Sequence, residues 1–237
     1  MPSSNVIKHT KLHDEFLHEC VKPFLVDHGF YPMTLAYHDL TPREGSGWHP
    51  RGYAHASECL REKTCPTSIF LKHSSDAIAV SKVADCSFMV EVKVTPEEQD
   101  SGNMAMEALP LLSHVEAWKW RGVRCLYVHW DESEKTHHGF WTSNVPYWDN
   151  VLIPIRNTKR EKDWYVRLVR NLAPDHGVRF TTSNWGSGEP FMCIRERILK
   201  SVPDWRDLVA QESRNCEKAA RQRPDRDQWV GRPIYDA

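Results

Sequence analysis

The chain has 237 residues, 40% of them hydrophobic, which is enough for one large core with an extension. A formal charge of −1 at pH 7 carries no global basic excess, so nucleic acid would have to be met by local patches. No window approaches the roughly 18 apolar residues of a membrane span, and the opening MPSSNVIKHTKLHDE has no signal-peptide apolar core. Seven cysteines (20, 59, 65, 86, 125, 193 and 216) form no CxxC pair. Reduced thiols and a cytoplasmic or nucleoid-associated setting are therefore expected. Cys59 and Cys65 near His49 and His55 offer the one competing metal reading.

In chain order, residues 10–28 read as a helix, with Leu12, Phe16, Leu17, Cys20, Val21 and Phe24 at helical spacing. Pro23 should kink or shorten it, and Gly29 should stop it. FYPMTLAYH (30–38) reads as extended, and TPREGSGWHPRGYAH as loop, with a short helix at ASECLREK. Ile69–Leu71 is strand-like, and 76–94 reads as a hairpin turning at SKVAD. Residues 104–120 carry a helical pattern (Ala108, Leu111, Leu112, Val115, Trp118) with Pro110 in its first turn. Gly122 ends it, and VRCLYVHW is the next strand. HHGFWTSNV, NVLIPI, DWYVRLV and EPFMCI follow as short strands. SVPDWRDLVAQES reads as a helix capped by Ser201 with Pro203 in its first turn, and the last 25 residues as a loosely held tail. The order implies an α/β fold, a central mixed β-sheet flanked by helices over 1–135, with an α+β extension over 136–237.

The chemistry concentrates in FMVEVKV (88–94). In a strand, Phe88, Val90, Val92 and Val94 share one face while Met89, Glu91 and Lys93 share the other. Glu91 and Lys93 then stand side by side, their Cα atoms roughly 6–7 Å apart. An edge-strand ion pair at the surface is one reading. The other draws on Asp76, separated from Glu91 by fourteen residues, which an antiparallel hairpin brings across to it. Two converging carboxylates favour a hard divalent cation, Mg²⁺ or Mn²⁺, with the Val92 carbonyl as a further oxygen ligand. Lys93 would orient a water and offset charge developing on a phosphate. Asp85 competes with Asp76, but along one extended strand it would stand about 20 Å from Glu91; it reads as a turn residue.

Asp76, then Glu91-Val92-Lys93, with strand–turn–strand between, resembles the signature of the PD-(D/E)XK nuclease superfamily. More narrowly, a helix bearing Glu19, then Gly29-Phe30, the aspartate, VEVKVT, a helix, a glycine and a strand is similar to archaeal-type Holliday-junction resolvases over about residues 10–130. The resemblance implies a restriction-endonuclease-like core and metal-dependent cleavage of nucleic acid, DNA ahead of RNA, by a homodimer. It implies a helical acid beside Asp76, Glu91 and Lys93. Among Asp14, Glu15 and Glu19, a projection at about 100° per residue puts Glu19 at the edge of an apolar stripe centred between Cys20 and Phe24. A boundary role for Glu19, paired with Lys22, is the alternative. The chain departs from the pattern at Ser75, where a proline is expected, in the long 39–70 insertion, and throughout its second half.

His9, His13 and His18 on the first helix can bind metal, although helical histidines are more often solvated. Arg51, with Trp48 and Tyr53, could touch nucleic acid from its loop. RNTKREKDWYVR offers Arg156, Lys159, Arg160 and Lys162 as the best patch for phosphate, against a solvated charged loop. No P-loop, GxGxxG, HExxH or GxSxG occurs. The alternative to a nuclease is a non-catalytic nuclease-fold protein that binds nucleic acid or supports assembly.

Overall fold

The structure is a computed structural model that describes residues 11–34, 74–95, 103–144, 147–157, 162–169, 178–182, 190–195 and 202–222. Its centre is a five-stranded mixed sheet. The strands, in spatial order, are β1 (Phe30–Thr34), β2 (Ala77–Ser81), β3 (Ser87–Thr95), β5 (Cys125–Asp131) and β6 (Thr136–Trp141). Only β3 and β5 run parallel; the other neighbours are antiparallel. The chain crosses between the parallel pair through β4 (Asn103–Glu107) and helix α2 (Ala108–Arg121). Helix α1 spans 11–27, and α3 is Trp205–Gln222.

Alternation along the strands decides what goes inside. Phe88, Val90, Val92 and Val94 of β3 join Ala77, Ala79, Leu126, Val128 and Trp141 on one face, where Phe16, Leu17, Val21 and Leu25 of α1 and Trp205 and Val209 of α3 cover them. Fully burying each such side chain is worth about 1.5–3 kcal/mol, so β3 is committed to this register. The opposite face carries Glu91 and Lys93, and Tyr127, whose hydroxyl lies 2.8 Å from His114 Nδ1 of α2.

Helix α1 is not uniformly α-helical. Phe16–Val21 is a π-helical stretch in which the Lys22 N–H bonds to the Leu17 carbonyl, five residues back, and Lys22–Asp27 returns to α geometry with Pro23 in its first turn. The wider turn lets the helix pass a proline that would clash with an ordinary i−4 carbonyl, so Pro23 does not shorten it. Gly29 (φ 81°) and Gly122 (φ 68°) end α1 and α2 in the left-handed region, as the sequence indicated.

Three boundaries differ from expectation. Residues 103–107 are strand, not helix: β4 pairs with β10 (Pro190–Arg195), which also pairs with β9 (Val178–Thr182). That partner lies far along the chain, beyond the reach of local periodicity. Helix α3 begins at Trp205, where the Asp204 carboxylate accepts the Arg206 N–H, and runs to Gln222, so residues 213–222 are helix rather than tail. Ser201 lies outside the described residues. The division expected at 135/136 passes through the β5–β6 hairpin, and α3 closes the core that begins with α1. β7 (Tyr147–Asn157) and β8 (Lys162–Val169) form a separate hairpin. The strand expected at Ile69–Leu71 and the short helix at ASECLREK also lie outside the described residues. Among the described residues, no helix is long and apolar enough to cross a membrane.

Gly139 is where α3 meets the sheet. Its N–H donates to the Pro203 carbonyl (2.8 Å), and a Cβ there would stand 2.6 Å from Trp205 Cβ and 2.8 Å from Trp205 Cα. The obstacle is helix backbone, which cannot rotate away. Gly139→Ala should therefore cost about 1–3 kcal/mol, at the upper end of overpacking effects, in chemical denaturation; unchanged stability would mean that α3 does not seat there.

Candidate active site

The site forms where β2 parts from β3. Their ladder runs from Val80↔Ser87 to Ala77↔Val90. Continuing it would set Ser75 opposite Val92, but the Ser75 hydroxyl turns back to donate to the Ala77 carbonyl (3.1 Å). Val92 is thus left with a backbone N–H and C=O that the ladder does not satisfy, and buried backbone groups must find partners. The Asp76 carboxylate takes the first: the Val92 N–H donates to Asp76 Oδ2 at 2.7 Å. His13 of α1 takes the second, its Nε2–H donating to the Val92 carbonyl at 3.2 Å while lying 3.5 Å from Asp76 Oδ2.

Glu91 and Lys93 stand beside this knot. Lys93 Nζ lies 2.8 Å from Glu91 Oε1, and the Glu91 side chain is 8% exposed. The β2–β3 ladder ends at Ala77↔Val90, one step short of Asp76 and Glu91. Burial pushes the Glu91 carboxyl up to about 7; the Lys93 ammonium opposes that, and the Asp76 charge adds to it. For Asp76, burial is outweighed by the His13 hydrogen bond and charge, by Lys93 and by the Val92 N–H, and its pKa is lowered. His13 is the reverse: burial favours the neutral ring, but the bond to Asp76 prevails and its pKa is raised. The cluster thus holds one carboxylate kept ionised by its neighbours and one carboxyl poised near neutrality by burial.

Of the residues singled out in the sequence, Asp76, Glu91, Val92 and Lys93 are brought together. Asp85 lies exposed in the β2–β3 turn, as expected. Glu19 is not part of the cluster: it is exposed beside His18 and Cys20, within the π-helical stretch. The buried stripe is Phe16, Leu17, Val21 and Leu25, so the expected centre between Cys20 and Phe24 is displaced: Cys20 is exposed and Glu19 lies away from the core. Lys22, the alternative partner for Glu19, contacts His18 Nδ1 (3.1 Å) and the Thr34 hydroxyl instead. The helix's contribution to the cluster is His13. The signal was present, since His13 precedes Phe16 by three and Leu17 by four residues and so shares their inward face. Arg51, Lys159 and Arg160 lie outside the described residues. Arg156 and Lys162 sit on β7 and β8 at the end of that hairpin, where Arg156 pairs with Asp163 and Asn157 with Lys162.

The raised Glu91 pKa has a thermodynamic consequence. The native state keeps that proton to higher pH than the unfolded chain, so the stability it confers is complete below 4.5 and is lost as pH rises through about 7. Glu91→Gln should therefore melt above the parent at about pH 8, with the gap closing toward about pH 5. Mg²⁺ should narrow the gap at the higher pH by stabilising only the parent. A variant less stable than the parent at both pH values would show that Glu91 is held as a structural carboxylate.

No protein-family model and no curated protein matches this chain, and the chemistry of the site rests on these donors alone.

Proposed function

We propose that the protein is a divalent-metal-dependent nuclease that hydrolyses phosphodiester bonds, with DNA as the expected substrate and a restriction-endonuclease-like core around β3. The observation that carries this reading is the gathering of Asp76, Glu91, Lys93 and the Val92 carbonyl at the edge of β3 that β2 vacates. Oxygen donors of this kind suit Mg²⁺ or Mn²⁺. When bound there, such a cation would act as a Lewis acid toward a phosphoryl oxygen and lower the pKa of a water.

The chain's own groups would do the rest. Asp76, ionised and fixed by the Val92 N–H, and Glu91 would hold the cation. Lys93, already against Glu91 at 2.8 Å, is placed to orient the attacking water and to offset charge growing on the phosphoryl oxygens. His13, whose Nε2 lies 3.2 Å from the Val92 carbonyl and 3.5 Å from Asp76 Oδ2, would hold both groups in place. One observation favours the rival reading of a non-catalytic nucleic-acid-binding or assembly module: His13 already satisfies both Asp76 and Val92, as a purely structural knot would.

Incubation with duplex, single-stranded and branched DNA and RNA, with Mg²⁺ and with EDTA, separates the two readings. Cleavage should require the metal. Lys93→Ala and Glu91→Ala should each lower it by at least about a hundredfold, the scale of removing a group that stabilises transition-state charge, while far-UV circular dichroism stays unchanged. Full cleavage by both variants would remove these residues from the chemistry.

Substrate binding is assigned to the basic run at the end of the β7–β8 hairpin. Arg156→Glu and Lys162→Glu, combined with Lys159→Glu and Arg160→Glu, should weaken binding. They should also flatten its salt dependence by about 0.9 in log–log slope for each phosphate that the variant no longer neutralises. An unaltered slope would return the run to a solvated hairpin end. A homodimer is part of the same proposal.

A further inference from the structure

The core holds a second cluster of donors, on the side of the sheet that α3 covers. Cys86 stands at the end of the β2–β3 turn, while Glu212 and Cys216 lie one turn apart on α3 and so face the same way. The two thiol sulfurs and a Glu212 carboxylate oxygen all lie within 4.8 Å of one another. The Cys86 thiol donates to Glu212 Oε1 at 3.4 Å. Arg124, at the foot of β5, bonds both carboxylate oxygens, Nη1 to Oε1 at 2.6 Å and Nη2 to Oε2 at 3.1 Å, and its guanidinium lies 4.1 Å above the Trp141 ring.

We propose that Cys86, Glu212 and Cys216 form a site for a thiophilic divalent cation, Zn²⁺ foremost, which ties α3 to the β2–β3 turn. Tetrahedral zinc with Zn–S near 2.3 Å and Zn–O near 2.0–2.2 Å separates its ligand atoms by about 3.4–3.8 Å. The donors stand within about an ångström of that, and solvent would take the fourth position. Charge balance points the same way. Two thiolates and a carboxylate carry three negative charges; the cation supplies two positive ones and Arg124 the third, keeping Oε2 while Oε1 turns to the metal. Binding would thus displace two thiol protons to solvent, with no change in oxidation state. Thiolate donors exclude Mg²⁺, so the site is chemically separate from Asp76 and Glu91. Cys86 is only half-buried, which leaves a way in.

The test uses the full chain purified without chelator, with zinc content measured by mass spectrometry and Co²⁺ used as the spectroscopic probe. The expected result is about one bound equivalent, a sulfur-to-cobalt charge-transfer band, and two protons released per ion. Both band and metal should be lost in Cys86→Ser and in Cys216→Ser and kept in Cys20→Ser, in Cys59→Ser/Cys65→Ser and in Asp76→Asn. The last variant separates this result from any failure of the nuclease reading. If a serine variant does not fold, the parent's cobalt band and proton count still decide. Absence of the band in the parent would overturn the proposal. So would a Cys86–Cys216 disulfide, or loss of the metal with Cys59 and Cys65 instead.

Discussion

Everything near the site follows from one backbone pair. Val92 offers an N–H and a C=O on the side that β2 has left, and neither can remain unsatisfied inside a protein without a penalty of about 1–3 kcal/mol. The chain meets this with two side chains from distant segments, Asp76 and His13. That solution draws a carboxylate to the edge of β3 and pins the first turn of α1 above it. The charged face of β3 is therefore organised by a hydrogen-bonding need in the strand itself. A strand that stayed paired to its end would have placed Ser75, not Asp76, beside Val92.

The same strand resolves the conflict between core and chemistry through its two-residue period. Val90 and Val92 are fully buried among α1, α3 and β5, which fixes the register. Once those valines are fixed, Glu91 and Lys93 can only lie on the other face, desolvated together. The cost shows in the Glu91 carboxyl, raised to about 7 although Lys93 is only 2.8 Å away. Burial is the larger influence on that carboxyl, and the ammonium beside it offsets only part of it. Local strain of this kind persists where the surrounding fold over-determines it, and here the surrounding fold is the apolar half of the same strand.

This division explains which parts of the molecule were legible in the sequence. Period-two alternation in FMVEVKV and the turn at SKVAD marked β2, β3 and their antiparallel pairing, because those contacts are local. Gly29 and Gly122 marked helix ends for a similar local reason. What could not be read depended on distant partners or on a departure from regular geometry. β4 needs β10, some ninety residues on, to be a strand. The cap of α3 is Asp204, yet Ser201 and Pro203 offer an equally good local signal two or three residues early. Glu19 was misplaced because it lies within a π-helical stretch, invisible to a uniform helical projection. His13 lies before that stretch, where the regular projection still holds.

On the two proposals, the donor clusters would keep two cation chemistries apart within one chain. They belong to opposite ends of β3, one just before its first residue and one near its last. The first has two sulfurs and a carboxylate already paired to Arg124; the second has carboxylates and a backbone carbonyl beside Lys93. Affinity alone would not separate zinc from magnesium, since the transition metal binds more tightly to most donor sets. Ligand softness can. Thiolate sulfur suits a thiophilic cation, whereas carboxylate and carbonyl oxygens suit a hard one. A soft ion held at the turn would, by fixing α3 on the sheet, steady the β2–β3 hairpin from which Asp76 projects. The cluster at the turn would then support the geometry of the cluster at the strand's far end without sharing a ligand with it.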